Sequence, residues 1–473
     1  MTTASTTPLR QAAEWLKYAA VILTIFLVCW TIVLWYWNQA QRDPGTGELV
    51  LALLVLPSVL LLGIWKTSKV MAARDAAYIS GGPRPAPSAV AAVAETISNT
   101  PVLAIVAAAL RSPHGSSAEE LAGAIDDNDA RADLDRELVD DNGFPVMTAR
   151  SDEAVDEALQ EEITEWLSAQ GMAQLHFSEE QWRALILATG VAGELGCRAG
   201  ELLPEEGTPP LLQLRLLLPD EWQVDARRAT SIWLKHAISQ YGWPVNKIAL
   251  PEGAEQAQPI SPAALLAQLM PTSPKPAPIV AIVITCASLI GQESVDRLAA
   301  NELLFTSSSQ ARGQIPGEGA AGLLLTDVGQ LQGTDVRDIA FLGPIGEKRR
   351  DNSADEARRT DAAMLLALTE QTAKAGNIEL AKIDMIVADT GHRSSRVLEL
   401  MALAAPTIPR VDAADDIIRI GLGSGSCGAV PFMTVLALAQ HYARERGAPV
   451  LCISNEDPWM RSAALVGLRQ QVH

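Results

Sequence analysis

Cationic side chains are scarce in this chain: 37 Lys and Arg stand against 56 Asp and Glu, a formal charge of −19. Neutralising a phosphate backbone requires a basic patch, and no sustained Lys/Arg run exists, so nucleic acid is excluded as a partner. Histidine is nearly as scarce, at six residues with His473 the last of them, which leaves few candidates for imidazole chemistry. The five cysteines, Cys29, Cys197, Cys286, Cys427 and Cys452, form no C-x-x-C pair and no Cys/His cluster at ligand spacing. A disulfide framework and a zinc site are therefore not expected, nor is any other metal or cofactor, and a reducing compartment fits best.

Aromatic residues make up only 5% of the chain, yet Trp182, Trp222, Trp233 and Trp243 gather within 62 residues. Such a group reads as core; an exposed pair would instead be a docking hot spot for a protein partner.

What is abundant is apolar surface, 48% of 473 residues, enough for two or three domains. Residues 18–37 (YAAVILTIFLVCWTIVLWYW) carry no charge over the ~20 residues a helix needs to cross the hydrocarbon core, and end in an aromatic belt. Residues 49–65 (LVLALLVLPSVLLLGIW) form a second, shorter uncharged run in which Pro57 can kink a helix without breaking the span. A cleaved leader would be shorter and end in small residues, so residues 1–74 are expected to be a retained two-helix membrane anchor. Arg10 and Lys17 before the first run, and Lys66, Lys69 and Arg74 after the second, predict both termini and the globular part on the cytoplasmic side of a bacterial inner membrane. Were the second run re-entrant, the globular part would lie on the other side. Residues 75–100, rich in Ala, Pro, Gly and Ser, read as a tether.

Beyond the tether, residues 101–473 alternate strand and helix patterns, which predicts an α/β layered fold. Strands are predicted at 101–110, 211–218, 279–285, 320–325, 385–388, 417–420 and 450–453. Helices are predicted from Ser-Ser-Ala-Glu-Glu-Leu (116–121) and at 180–195, 226–241, 261–270, 353–375, 394–404 and 431–446. Residues 126–156 are acidic and poorly patterned, and no element is predicted there.

Residues 305–327 (FTSSSQARGQIPGEGAAGLLLTD) place an Arg-Gly pair before Pro-Gly-Glu-Gly-Ala-Ala and then a strand. This block resembles the R-x-G-x-x-x-G-E-G-A-A-x-L-x-L pattern of the β-ketoacyl synthases, members of the thiolase-like superfamily, through Arg312, Gly317, Glu318, Gly319, Ala320 and Ala321. Arg312 stands one residue closer to Gly317 than that pattern has it. The order continues with VADTGHRSSRVLEL (387–400), GLGSGSCGAV (421–430) and VLCISNEDPWMRSAALV (450–466), where the synthases carry their two histidine blocks and closing strand pair. The resemblance implies a thiolase-like fold of helices and two mixed sheets, here preceded by two transmembrane helices. It also implies an internal structural duplication and a homodimer.

Ketosynthase chemistry needs a cysteine activated at a helix N-terminus and two histidines for decarboxylation and oxyanion stabilisation. By the resemblance, the nucleophile position falls at the start of helix 261–270, where Ser261 precedes Pro262. The histidine positions fall at Asp389 and Leu422, and the Phe gate is replaced by Ser-Asn-Glu-Asp-Pro (454–458). An inactive domain is expected. The alternative is an acyl-transferring condensing enzyme that uses acyl thioesters through a relocated nucleophile, Cys427 or Ser261, with His392 as base.

Three further groups have plain readings. Gly421, Gly423, Gly425 and Gly428 lack the Lys-Ser/Thr of a P-loop and suit close backbone packing. Asp412, Asp415 and Asp416 lack a calcium-loop pattern and suit a solvated loop. Arg312 and Glu318 suit a buried pair that locks the loop before a strand. The expected function is that of an adaptor holding a protein partner at the membrane, similar in makeup to accessory proteins of type VI secretion effectors.

Overall fold

Residues 280–288 (VAIVITCAS) are apolar without alternation, the mark of a strand covered on both faces, and every one of them is buried. They lie at the centre of the N-terminal half of a ten-stranded sheet. The computed structural model describes residues 102–204, 207–251, 260–271, 278–331, 339–356 and 360–468. The two apolar runs and the tether lie outside the described residues, and among the described residues no helix is long and apolar enough to cross a membrane.

In chain order the first half contains β1 (Leu103–Arg111), α1 (Ala118–Asp126), β2 (Asp133–Val139), β3 (Pro145–Thr148), α2 (Glu157–Ala169), α3 (Glu179–Gly200), β4 (Leu212–Leu217), α4 (Val224–Ser239), β5 (Ile248–Ala249), α5 (Pro262–Leu269), β6 (Val280–Ser288), α6 (Gln292–Ala300) and β7 (Glu318–Thr326). The second contains β8 (Ala340–Arg349), α7 (Ala363–Ala375), β9 (Met385–Ala388), α8 (Ser394–Thr407), β10 (Ile417–Arg419), α9 (Gly421–Ser424), α10 (Val430–Arg446), β11 (Val450–Ser454) and β12 (Met460–Leu468).

The sheet order is β10-β9-β11-β12-β8-β1-β7-β6-β4-β5. With the β2–β3 hairpin set aside, each half reads first, fifth, fourth, second, third strand, and in each the fifth runs antiparallel to its neighbours. This is the duplication that the resemblance implies. The halves were expected as two mixed sheets; they are joined into one because β1 and β8 pair antiparallel from Leu103↔Leu342 to Ile105↔Ala340.

Strand alternation divides the core. Ala281, Val283, Leu323 and Leu325 face a layer shared with Met385, Val387, Val450 and Cys452, filled by α5 and α10. Val280, Ile282, Ile284 and Leu324 face α3 and α4, while Ile386, Ala388, Leu451 and Ile453 face α7 and α8. Helices thus occupy three layers about the two half-sheets, and α10, buried over nearly its whole circumference, is sandwiched between them.

Local signals account for the helix starts. Ser117 caps α1 by accepting from the Glu120 amide, and Ser178 with Gln181 forms a reciprocal capping box on α3. Three differences from the predicted elements stand out. The acidic stretch forms the β2–β3 hairpin. Helix α7 begins at Ala363 rather than 353, because Ser353–Glu356 forms a turn whose Ala354 amide donates to the Pro458 carbonyl. Strand β8 was hidden by Gly343, Pro344 and Gly346; a register shift opposite them in β12 accommodates the proline.

Candidate functional site

Parallel pairing of β9 with β11 sets Ala388 beside Ile453, so the residues that follow, Asp389 and Ser454, emerge together at the strand ends. The Asp389 carboxyl is buried. It accepts from Ser454 Oγ at 2.5 Å, the Asn455 amide at 2.8 Å and the Glu456 amide at 3.1 Å. Burial raises its pKa to about 6, with the Glu456 charge adding to the rise and the Ser454 and backbone bonds opposing it. Both oxygens are engaged, so the position has the acidity of a general base but no oxygen free for a substrate proton.

The segment after Ser454, where the synthase gate would lie, is tied down by charge. Glu456 accepts from the Gly391 amide at 2.8 Å and from Arg393 Nε at 2.7 Å, and its carbonyl accepts from Arg393 and Arg396. Arg396 donates to Asp355 at 2.6 Å, and Arg461 holds Glu399 through Nε at 2.9 Å. Arg393, Arg396, Arg461 and Glu399 are all buried. Such a network is costly to break and rigid while intact. Sequence reasoning missed it: Arg393, Arg396 and Glu399 recur at helical spacing from the N-cap of α8 onward, but their charged partners are at least 38 residues away in the chain.

Leu422 lies in the short α9, partly buried, and its carbonyl accepts from the Ala132 amide. The loop sits tight against the first histidine position: a Cβ on Gly421 would lie 2.3 Å from the Asp389 carbonyl oxygen, and one on Gly317 would lie 2.0 Å from that of Ser424. Gly425, at φ +61°, passes against the backbone of Ile315–Gly317. These glycines serve close approach of the loops. The fold therefore brings Asp389 and the Gly421–Leu422 turn together, and neither Asp389 nor Leu422 is a histidine.

Ser261 spends its oxygen as the N-cap of α5, accepting from the Ala264 amide at 3.0 Å. Cys427 is 1% exposed, packs on Ala287 and Val430, and directs its thiol at the Ser424 carbonyl. Burial pushes its pKa up, aided by the Glu318 charge, and burial likewise pushes the Cys286 thiol up to about 12. A reactive thiolate requires the opposite shift. His392 packs edge-to-face on Phe305 at 4.7 Å, and burial holds its imidazole below the ordinary range. Among the described residues no hydrogen bond joins His392 to Cys427, Ser426 or Ser261, so the structure does not assemble the relocated nucleophile and base.

Glu318 is fully buried, but its partner is Arg183 on α3, bound through two nitrogens at 2.8 and 2.5 Å. The Ser151 amide and Ser288 hydroxyl complete its shell. Arg312 is exposed, so the expected Arg312–Glu318 pair does not form. Placed one residue nearer to Gly317 than in the synthase pattern, it lies in a surface turn. Of the two tryptophan readings, core and docking pair, the core one holds: Trp222, Trp233 and Trp243 are 6%, 3% and 1% exposed in the core under α3 and α4, and Trp182 is partly covered by Phe177, so the four present no exposed pair as partner-binding candidates. Asp416 pairs with Arg446, and among the described residues no group of His, Cys, Asp or Glu could hold a metal ion.

No protein-family model matches this chain, and no curated protein matches it. Solved structures do. The ketosynthase from module 6 of the bacillaene synthase of Bacillus subtilis aligns with a TM-score of 0.52 at 13% identity over 78% of this chain and 72% of that one. A chain from a type II polyketide synthase complex of ketosynthase and acyl-carrier protein gives 0.54 at 11% over 78% and 100%. The oxazolomycin ketosynthase domain of Streptomyces albus gives 0.51 at 11% over 79% and 76%. The described part of the chain thus shares the fold of these ketosynthase domains. At these identities the likeness is one of architecture, and activity has to be argued from the residues at the site.

Proposed function

We propose that this protein is a non-catalytic ketosynthase-like adaptor, anchored in the bacterial inner membrane by residues 18–37 and 49–65, with its globular domain facing the cytoplasm and holding a protein partner there. Delivery of type VI secretion effectors is the setting we assign to it, on the resemblance in makeup alone. The observation that carries the loss of catalysis is that, among the described residues, none of the candidate positions offers a usable nucleophile. Ser261 is a helix cap, Cys427 is a buried thiol with a raised pKa, and Asp389 and Leu422 replace the histidines. The charge-tied 454–458 segment supports the same reading, since a gate must move.

The test is intact-mass spectrometry of the full chain after incubation with acyl coenzyme A and acyl-carrier thioesters. The mass is expected to stay unchanged. A covalent acyl adduct that Cys427→Ala or Ser261→Ala fails to form would establish the condensing enzyme instead.

A further inference from the structure

The acidic stretch that carries no legible pattern turns out to hold the three most exposed large apolar side chains among the described residues, Phe144, Val155 and Leu134. In the β2–β3 hairpin Leu134 pairs with Met147 and Val139 with Pro145. Opposed residues of an antiparallel pair share a face, and Val146 and Thr148, which alternate with Pro145 and Met147, are buried on the other one. Leu134, Val139, Pro145 and Met147 therefore line one outward face, with Phe144 at its tip; Leu134 and Phe144 are 58% and 67% exposed.

The inward side is firmly held. Leu138 and Val146 pack on Ile290, Val295, Leu298 and Leu304. Asp135 accepts from Thr148 at 2.7 Å and from Arg150 at 2.9 Å, and Gln292 donates to the Val139 carbonyl at 2.8 Å. An apolar face carried by a fixed scaffold pays little ordering entropy on association.

Its rim is predominantly acidic: Asp133, Glu137 and Asp141 are exposed and Asp140 is partly so, against the exposed Arg136 and the Arg150 guanidinium, which pairs with Glu137 at 3.3 Å. Residues 126–157 as a whole hold 12 Asp and Glu against three Arg. Charge decides between occupants. A second copy would bring the same acidic rim, and an anionic lipid surface would be repelled, whereas a cationic segment gains on both counts. We propose that the outward face of the β2–β3 hairpin is a docking surface for a basic segment of a protein partner, one whose apolar side chains recur on a single face. This deepens the adaptor reading and rests on it.

The test uses the full chain and a fluorescent synthetic peptide alternating lysine with leucine, with binding read by anisotropy. The peptide is expected to bind and to slow amide hydrogen exchange across residues 133–148. Leu134→Ser combined with Phe144→Ser should weaken it at least tenfold. Asp133→Asn with Glu137→Gln and Asp141→Asn should weaken it and flatten its salt dependence, while Asp412→Asn with Asp415→Asn changes nothing. All of these positions are surface-exposed, so the variants keep the fold. Equal affinity of the Leu134→Ser, Phe144→Ser protein overturns the proposal, as does equal binding of a peptide alternating glutamate with leucine. Phosphatidylglycerol vesicles that protect residues 133–148 would overturn it too. Failure here without an acyl adduct leaves the non-catalytic reading standing and removes only the surface; an adduct overturns that reading whatever the peptide does.

Discussion

Asp389→Asn should make the protein less sensitive to pH. The carboxyl is nearly inaccessible, and its pKa is raised from 3.8 to about 6, chiefly by burial. A carboxyl that holds its proton more tightly when folded adds stability at low pH and loses it as pH rises from about 4 to about 6. A shift of roughly two units at ~1.4 kcal/mol each leaves the wild type short of ~3 kcal/mol at pH 7 relative to pH 4 from this group alone. Asparagine keeps the oxygen that accepts from the Asn455 and Glu456 amides and offers its NH₂ to Ser454, which can accept. Urea denaturation of both proteins in parallel, from pH 4 to pH 7.5, isolates the effect, because every other titrating group is common to both. The variant's stability relative to wild type should climb by about 3 kcal/mol over that range and then level off. A difference that stays flat across pH would refute the assignment of a strained, buried carboxyl at this position.

Two other perturbations separate the structural charges and thiols from the decorative ones. Arg183→Met strands the buried Glu318 carboxylate and should cost about 3–5 kcal/mol in chemical denaturation, whereas Arg312→Ala at an exposed turn should stay within about 0.5 kcal/mol. Equal losses would restore the pairing that the motif suggests. Iodoacetamide at pH 8 should modify the exposed Cys197 in the native protein and reach Cys427 only after unfolding; peptide mapping that finds Cys427 alkylated as fast as Cys197 would remove the burial argument.

How much of this could be read in advance depends on where the information is local. Strands β6, β9 and β11 are continuous apolar runs, and α3, α4 and α10 carry clear periodicity, so they were legible. Strand β2 was not: its pairing slips between Leu134 and Val139, and the buried Asp135 stands where an apolar residue would mark the inward face. Helix α2 buries only Ile163 and Leu167, too narrow a stripe to stand out among its acidic neighbours. The burial of Trp233 did have a signal, since Ala226, Ala229, Thr230, Trp233 and Ala237 share one helical face. Ser261, Asp389 and Leu422 were singled out from motif order. What occupies them was not, because the bonds from Ser454, Asn455 and Glu456 to Asp389 and from Arg183 to Glu318 span 65 to 135 residues.

The central claim, a ketosynthase-like fold without ketosynthase chemistry, is tested most directly by turnover. The purified full chain is incubated with acetyl and malonyl coenzyme A, and carbon dioxide release and β-ketoacyl product are followed by mass spectrometry. The account predicts rates equal to the protein-free control for both. Condensation above that control, reduced by Cys427→Ala, Ser261→Ala or Asp389→Asn, would contradict it.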